Sequence, residues 1–258
     1  MSIVEVRGLY FRYPGSHRRG ENSWTLKDLN IEIEEGSSVG IVGESGSGKS
    51  TLVRILCGIM IHQQGEVKFD GREMKDWLDS TSREIRRRNQ IVFQSPRRSL
   101  DPRMTIRRSL SEPARAIERR KPSDAEIIGW LERVGLNADI LPRYPHQLSG
   151  GQLQRVGVAR ALSVNPDVLY ADEPTSALDV SVQAQVLNLL MDIRAQLGLT
   201  LVMISHDLAV ISRTCEHIIV MKEGRIVEAG LMTDILSRSS DPYTTALVES
   251  ARTVSLKA

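Results

Sequence analysis

The sequence predicts an α/β fold with a largely parallel sheet and an inserted helical segment. Short, largely apolar segments such as VGIV (39–42) and TLVMISH (200–206) have the length and composition of buried strands. The segments between them, such as KSTLVRILCGIM (49–60), have helical periodicity. Strands that alternate with helices are typical of a parallel sheet covered by helices.

The other elements follow from local patterns. Further strands are predicted at IVEV (3–6), LNIEIE (29–34), IVFQ (91–94) and VLYADE (168–173). Residues 95–147 are rich in Pro, Arg and short helical patterns, and Ser123 and Glu126 form a capping box before one of them. We expect this segment to be an inserted helical subdomain. A helix over 180–198 and a hairpin with Glu223-Gly224 in its turn complete the prediction.

Composition limits the class of protein. The 258 residues are 41% apolar and 26% charged, which is enough for a substantial core. No apolar run approaches the roughly 18–20 residues that span a bilayer, and MSIVEVRG lacks the pattern of a secretory signal. Cys57 and Cys215 are far apart and outside any CxxC motif. We expect both to be reduced core thiols of a cytoplasmic protein.

The segment GESGSGKS (43–50) matches the phosphate-loop pattern G-x-x-x-x-G-K-[ST] in full. It lies between a predicted strand and a predicted helix, where backbone N–H groups and the helix dipole favour a phosphate. Lys49 can reach the β- and γ-phosphates, and the Ser50 hydroxyl can ligate Mg²⁺. The predicted nucleotide-binding residues here are Gly43, Glu44, Ser45, Gly46, Ser47, Gly48, Lys49, Ser50 and Thr51.

The strand VLYADE ends in two acids, Asp172 and Glu173. We expect both at the carboxyl edge of the sheet, where ligands bind in open α/β folds. Asp172 suits Mg²⁺ coordination, directly or through water. Glu173 suits the orientation or deprotonation of a water that attacks the γ-phosphate.

The segment LSGGQLQR (148–155) adds a second glycine-rich helix start. With the phosphate loop before it and the acidic strand after it, the sequence resembles the nucleotide-binding subunit of ABC transporters over essentially its whole length. The resemblance implies the ABC ATPase fold: a P-loop NTPase core, an N-terminal antiparallel β subdomain and the helical subdomain (95–147). It also implies one nucleotide-binding domain over 1–258, with a short C-terminal helical segment over 230–258.

The resemblance assigns roles to further residues. The signature residues contact the ATP held by a partner domain in a head-to-tail pair, and they are Leu148, Ser149, Gly150, Gly151 and Gln152. Gln94 is expected to touch Mg²⁺ and the attacking water, His206 to contact the γ-phosphate, and Asp179 of SALD to cross the dimer interface.

An aromatic residue near the N-terminus is expected to stack on adenine. In YFRYP (10–14) Tyr13 is favoured, with Phe11 and Tyr10 as competitors.

The implied activity is ATP hydrolysis with ATP and Mg²⁺ as cofactors. ATP binding closes the pair of domains, and hydrolysis releases it. The implied partners are a second ABC ATPase subunit, the same chain or a related one, and transmembrane permease subunits, with no nucleic acid. The chain is then expected to lie on the cytoplasmic side of the inner membrane, held there by the permease.

Two segments resemble the oligopeptide, dipeptide and nickel importer group: FQSPRRSLDPRMTIRRSLSEP (93–113) and DPYTTAL (241–247). Many members of that group continue into a cysteine-bearing tail linked to an iron–sulfur cluster, and this sequence has no cysteine after Cys215. The leading hypothesis is therefore the ATPase of an importer for peptides or a similar small solute. The alternatives are an accessory ATPase of a soluble carbon–phosphorus lyase assembly and a soluble non-transport ABC ATPase.

Residues 83–121 hold thirteen Lys/Arg and four Asp/Glu, a local excess of nine positive charges. These cations could meet acidic residues of a permease loop or anionic lipid headgroups. They could equally form a solvated helical face. If a membrane partner binds here, charge reversal at Arg97 and Arg98 is expected to uncouple ATP hydrolysis from it.

Overall fold

A computed structural model describes residues 1–14, 24–176 and 178–255, without the side chains of 96, 98, 180 and 253–255. The strands, in chain order, are β1 (Ser2–Phe11), β2 (Leu26–Glu34), β3 (Ser38–Val42), β4 (Gln64–Phe69), β5 (Arg72–Glu73), β6 (Asn89–Val92), β7 (Val168–Asp172), β8 (Thr200–Ile204), β9 (His217–Lys222) and β10 (Arg225–Leu231). The helices are α1 (Lys49–Leu56), α2 (Met74–Arg88), α3 (Pro96–Ser99), α4 (Ile106–Ala116), α5 (Asp124–Glu132), α6 (Gly150–Leu162), α7 (Val180–Leu197), α8 (Leu208–Thr214), α9 (Met232–Arg238) and α10 (Pro242–Ser255). Short 3-10 helices lie at Ala138–Ile140 and Pro145–Gln147.

The chain divides into two compact units, one made of Met1–Ser80 with Thr200–Ala258 and the other of Thr81–Leu199. Helix α2 runs across the division and is interrupted there, because Thr81 has non-helical dihedral angles (φ −137°, ψ 41°).

The first unit begins with an antiparallel sheet in the order β2-β1-β4-β5. In β2, Leu29, Ile31 and Ile33 are buried, whereas Asn30 and Glu32 are exposed. This is the two-residue period of a strand with one face in a core, and it confirms the predicted half-buried strand. It also confirms the predicted N-terminal antiparallel β structure.

The same unit contains a parallel arrangement around β3, which pairs in parallel with β8 and β9. Every residue of β3 and β8 is buried, as expected for central strands covered on both faces. Helix α8 packs closely on β3, since a Cβ at Gly40 would lie 2.0 Å from Ile211 Cγ2. Strand β10 returns antiparallel to β9 through Glu223 (φ 50°) and Gly224 (φ 80°), the predicted hairpin turn.

In the second unit, β6 and β7 pair in parallel, with Ile91 opposite Tyr170. Tyr170 is fully buried. Helix α5 begins with the predicted capping box, in which Ser123 and Glu126 hold each other's backbone N–H groups. The parallel pairs of the two units confirm the predicted α/β class.

Several strand ends differ from the sequence prediction. Strand β1 continues to Phe11 rather than ending at Val6, and β7 ends at Asp172 rather than at Glu173. Strand β6 ends at Val92 rather than at Gln94, and β8 ends at Ile204 rather than at His206. Gln94 and His206 therefore follow their strands by two residues. Runs of apolar residues do not mark where the ladder of backbone hydrogen bonds stops.

Both cysteines are free and buried, as predicted. Burial raises the pKa of Cys57 to about 12, which keeps the thiol protonated and unreactive. Among the described residues, no helix has the length and apolar character needed to cross a membrane.

Candidate functional site

The glycine-rich loop between β3 and α1 has the backbone of a phosphate cradle. Gly43, Gly46 and Gly48 all have positive φ, at 150°, 84° and 102°. Gly43 is also tightly enclosed, because a Cβ there would lie 2.1 Å from the carbonyl oxygen of Met221. Helix α1 starts at the left-handed Gly48 with no side-chain cap, and the dipole at the N-terminus of a helix favours an anion.

Lys49 is 6% exposed and its ammonium lies inside this loop. Its Nζ donates to the carbonyl oxygens of Gly43 and Glu44, both at 2.7 Å, and lies 3.4 Å from Ser47 Oγ. A buried ammonium is costly without such acceptors. The loop thus holds a positive charge beside the uncapped start of α1.

A methyl group at Gly48 should destabilise the protein. Ala at φ 102° is strained, and its Cβ would lie 2.6 Å from Leu26 Cδ2. We expect Gly48→Ala to lower the free energy of unfolding by about 2–4 kcal/mol, as measured by the denaturation of nucleotide-free protein. Gly46→Ala is the matched control: Gly46 also has positive φ, but its Cβ would meet nothing within 4 Å. We expect it to cost about 1 kcal/mol. Equal losses in the two variants would contradict the role of the Leu26 contact.

Tyr13 is the aromatic residue that lies beside the phosphate loop. Its side chain is 37% exposed, and its hydroxyl is 3.0 Å from Thr51 Oγ1 on α1. Phe11 is only 3% exposed and packs edge-on against the Tyr13 ring. Tyr10 packs edge-on against Trp24. Of the three candidates, Tyr13 is therefore the one with an exposed ring next to the loop.

His206 lies in an exposed turn between β8 and α8, in the same unit as the phosphate loop. Its neighbour Asp207 caps α8 by accepting a hydrogen bond from Ala209 N at 2.8 Å. Asp207 N in turn donates to Ser205 Oγ at 3.0 Å. These two bonds fix the backbone on both sides of His206.

The second unit holds the two acids. Asp172 ends β7 and is 5% exposed, and Glu173 follows with φ 47°. A positive φ is uncommon for a non-glycine residue and costs about 1–3 kcal/mol. Gln94 Nε2 donates to Glu173 Oε2 at 2.7 Å. The glutamine and the carboxylate that the sequence assigned to one reaction thus form a hydrogen bond.

The loop after Glu173 is fixed by α7. Gln183 Nε2 donates to the carbonyl oxygens of Thr175 (3.1 Å) and Leu178 (3.0 Å). Asp179 is the N-cap of α7 and accepts a hydrogen bond from Val182 N at 3.0 Å. That bond and a second one from Ser181 hold the pKa of Asp179 below its usual range, so its carboxylate stays ionised.

The signature residues form the start of α6. Ser149 and Gln152 make a reciprocal capping box, with Gln152 N donating to Ser149 Oγ at 3.2 Å and Ser149 N to Gln152 Oε1 at 3.0 Å. Gly150 and Gly151 are the first residues of this helix. A Cβ at Gly151 would lie 2.6 Å from Val182 Cγ1, so this glycine allows α6 to approach α7. Leu148, just before the cap, is buried.

Each unit therefore gathers part of the predicted site. The first holds Tyr13, the loop 43–51 and His206. The second holds Gln94, Asp172, Glu173, the signature 148–152 and Asp179. Sequence reasoning missed Gln183, for which no local pattern exists. It also missed Tyr243, whose hydroxyl accepts a hydrogen bond from Glu44 N at 2.9 Å.

A family model described as "ABC transporter" matches residues 26–176, more than half of the chain. This chain belongs to the ABC transporter family. The matched residues include the phosphate loop, the signature segment and the acidic end of β7.

Similar proteins agree with this membership. The dipeptide transport ATP-binding protein DppF of Haemophilus influenzae is 43% identical over 256 residues, which cover 95% of this chain and 77% of that protein. Among solved structures, cbiO1 of Clostridium perfringens, described as part of the ABC transporter complex cbiONQ, is 29% identical with a TM-score of 0.79, covering 92% of this chain and 91% of that one. The ATP-binding cassette MJ0796, solved as a dimer in a post-hydrolysis state with ADP and Pi, is 32% identical with a TM-score of 0.77, covering 89% of this chain and 98% of that one.

The predicted family and fold are confirmed. The chain is an ABC ATPase that binds ATP, and its hydrolysis of ATP is coupled to transport.

Proposed function

We propose that this ABC ATPase energises an importer of peptides or a similar small solute. The observation that carries the proposal is the 43% identity to a dipeptide transport ATP-binding protein over 95% of the chain. The two segments 93–113 and 241–247 also resemble importer ATPases in the sequence itself.

The nucleotide fits the first unit. The uncapped start of α1 and the buried ammonium of Lys49 favour the phosphates of ATP. No side-chain neighbour would fill the space beside Gly46. Residues 43–51 would hold the phosphates, and the exposed ring of Tyr13 would stack on the adenine.

A Mg²⁺ ion that binds together with ATP needs few ligands from the protein itself. The described residues hold no group of three or more His, Cys, Asp or Glu that could bind a metal by itself. Mg²⁺ bound with a nucleotide needs only one or two protein oxygens beside phosphates and water. The candidate ligands are Ser50 in the first unit and, in the second unit, Gln94 and the buried carboxylate of Asp172. When bound, Mg²⁺ neutralises charge on the phosphates.

Hydrolysis needs a group that orients or deprotonates a water. Glu173 is held in a strained backbone position by the end of β7, and its carboxylate is oriented by Gln94 Nε2. We assign Glu173 as the general base, with Gln94 as a second water contact. His206, fixed by the Ser205–Asp207 turn, would contact the γ-phosphate.

The signature suits a nucleotide held by another subunit. It forms the N-terminus of α6, where Ser149 and Gln152 make a reciprocal capping box. We propose that a second ABC ATPase subunit, the same chain or a related one, offers its phosphate loop to this surface. Asp179 would face the partner across the interface. The dimeric state of the similar cassette MJ0796 supports this pairing.

The second unit contains a cavity of about 240 Å³. Its walls include Phe93, Ile117 and the ion pair of Arg160 with Glu112 (2.8 Å). Arg160 also donates to Ser99 O at 2.7 Å, which ties α3 to α6. The cavity lies next to the segment that resembles importer ATPases. We propose that a cytoplasmic helix of the permease binds here and holds the chain at the inner membrane.

Some cations of the basic segment (83–121) form ion pairs and others are exposed. Arg88 pairs with Asp167 at 2.5 Å and Arg107 pairs with Asp124, so both are engaged within their own unit. Arg97 on α3 is exposed. The side chain of Arg98 lies outside the described residues. Arg97 is therefore an exposed cation of this segment, two residues from Ser99 in the cavity wall, and we choose it to test an acidic partner.

The test is to express the tagged chain in its own organism and to follow it through cell fractionation. We expect most of it to sediment with membranes and to co-purify, after detergent extraction, with integral membrane proteins. Arg97→Glu should lower the membrane-bound fraction at least threefold. Arg225→Glu, at the exposed β9–β10 turn, is the control with the same change of charge and should not.

Recovery of the wild-type chain with soluble enzyme subunits would instead favour the carbon–phosphorus lyase type of assembly. Recovery alone in the soluble fraction would favour a non-transport ABC ATPase. Either result would refute the importer proposal.

A further inference from the structure

The DPY segment at residues 241–243 has no role in the function described so far. It starts α10, with Asp241 as the capping side chain: Asp241 Oδ1 accepts hydrogen bonds from Tyr243 N at 2.9 Å and Thr244 N at 3.1 Å. Pro242 occupies the first helical position, where its missing N–H costs nothing. These residue types fix the direction in which α10 begins.

A second set of bonds fixes this start to the sheet. Glu228 on β10 accepts hydrogen bonds from Ser240 N (2.8 Å) and Ser240 Oγ (3.0 Å), and its other oxygen accepts from Asp241 N at 3.4 Å. Burial alone would raise the pKa of Glu228, but these donors outweigh it, and the pKa lies below its usual range. Glu228 is therefore ionised at neutral pH and holds the turn before α10.

Tyr243 projects from this anchored start to the phosphate loop. Glu44 N donates to the Tyr243 hydroxyl oxygen at 2.9 Å. Lys222 Nζ lies 4.8 Å from the centre of the Tyr243 ring, in the geometry of a cation–π contact. The ring is thus held from the side of β9 while its hydroxyl reaches the loop.

The position of Glu44 gives this bond its importance. Its N–H is held by Tyr243, and its carbonyl oxygen accepts from Lys49 Nζ at 2.7 Å. Residues 44–46 are otherwise the exposed part of the loop. The backbone of Glu44 therefore links the Tyr243 hydroxyl, bound to its N–H, with the Lys49 ammonium, bound to its carbonyl oxygen.

We propose that Tyr243 is a positioning residue for the phosphate loop, which couples the start of α10 to nucleotide binding. This inference rests on the proposed nucleotide site. With the hydroxyl in place, residue 44 and Lys49 are held in the arrangement that accepts ATP. By thermodynamic reciprocity, ATP in the loop then stabilises the docking of α10.

The experiment compares Tyr243→Phe with wild type and with Tyr10→Phe. Tyr243→Phe removes only the hydroxyl and keeps the ring against Lys222. Tyr10→Phe is the matched control, since Tyr10 lies on the same unit and packs against Trp24. The measurements are the Kd of Mg²⁺–ATP by calorimetry, KM and kcat for hydrolysis, and the melting temperature of the nucleotide-free protein.

We expect Tyr243→Phe to raise both Kd and KM about three- to tenfold, the equivalent of one net hydrogen bond. The kcat should change less than twofold, and the melting temperature should stay close to that of the control. Tyr10→Phe should behave as wild type. A Kd for Tyr243→Phe within 1.5-fold of wild type would overturn the inference, as would a loss of affinity matched by an equal loss in the control.

Hydrogen exchange supplies a readout that a merely structural role would not move. ATP should slow amide exchange over residues 242–250 in wild type and in Tyr10→Phe, but not in Tyr243→Phe. If ATP does not change the rate of amide exchange in this segment of the wild-type protein, the coupling is refuted. The proposed nucleotide site fails separately, if wild type and Tyr10→Phe bind no ATP at all.

Discussion

Glu173→Gln is expected to lower kcat for ATP hydrolysis about 10²- to 10⁴-fold, the usual contribution of a general base. The affinity for ATP should change less than threefold, because the amide keeps the shape of the carboxylate. The fold should also be retained. Gln94 can turn its own amide to pair with the new one, and the backbone strain at φ 47° is the same for both residues.

The same variant tests how the subunits pair. With Mg²⁺–ATP present and hydrolysis blocked, light scattering should show a shift from monomer to dimer. That shift would mean that this chain pairs with itself through the signature surface. A persistent monomer that still binds ATP would mean that a different ATPase chain is the partner. Unchanged turnover would contradict the role of Glu173.

Lys49→Met should weaken ATP binding about 10- to 150-fold, the equivalent of one hydrogen bond to a charged group. Methionine fills much of the same buried, unbranched space but removes the ammonium that lies within 2.7 Å of two loop carbonyls. Hydrolysis at low ATP concentration should fall by at least the same factor.

Lys75→Ala, at an exposed position of α2, is the control for the loss of one lysine charge. Its Kd for Mg²⁺–ATP should stay within twofold of wild type. Melting of the nucleotide-free Lys49→Met protein separates lost binding from lost folding. A folded variant that binds ATP as tightly as wild type would contradict the assignment of Lys49 to the phosphates.

Much of the fold could be predicted because its signals are local. The β2 alternation, the Ser123–Glu126 capping box and the Glu223-Gly224 turn each depend on residues within a few positions of one another. The phosphate loop was also predictable, because only glycines permit its backbone and only a lysine supplies the buried ammonium. The family was identified from motif order, and the match over residues 26–176 confirmed it.

Other features could not be predicted, because they depend on contacts between distant residues. The bond between Glu44 and Tyr243 joins positions 199 residues apart. The ends of β6 and β8 depend on where the neighbouring strand stops, which apolar runs do not reveal. Gln183 has no local signature, since its role is set by which carbonyl oxygens the folded loop leaves within reach.

The close approach of α6 to α7 restricts how these two helices can change during evolution. Because a Cβ at Gly151 would lie 2.6 Å from Val182 Cγ1, positions 151 and 182 cannot vary independently. A side chain at position 151 is tolerated only with a residue smaller than valine at position 182. A substitution at position 151 of the signature should therefore be accompanied by a compensating substitution at position 182 in the first turn of α7.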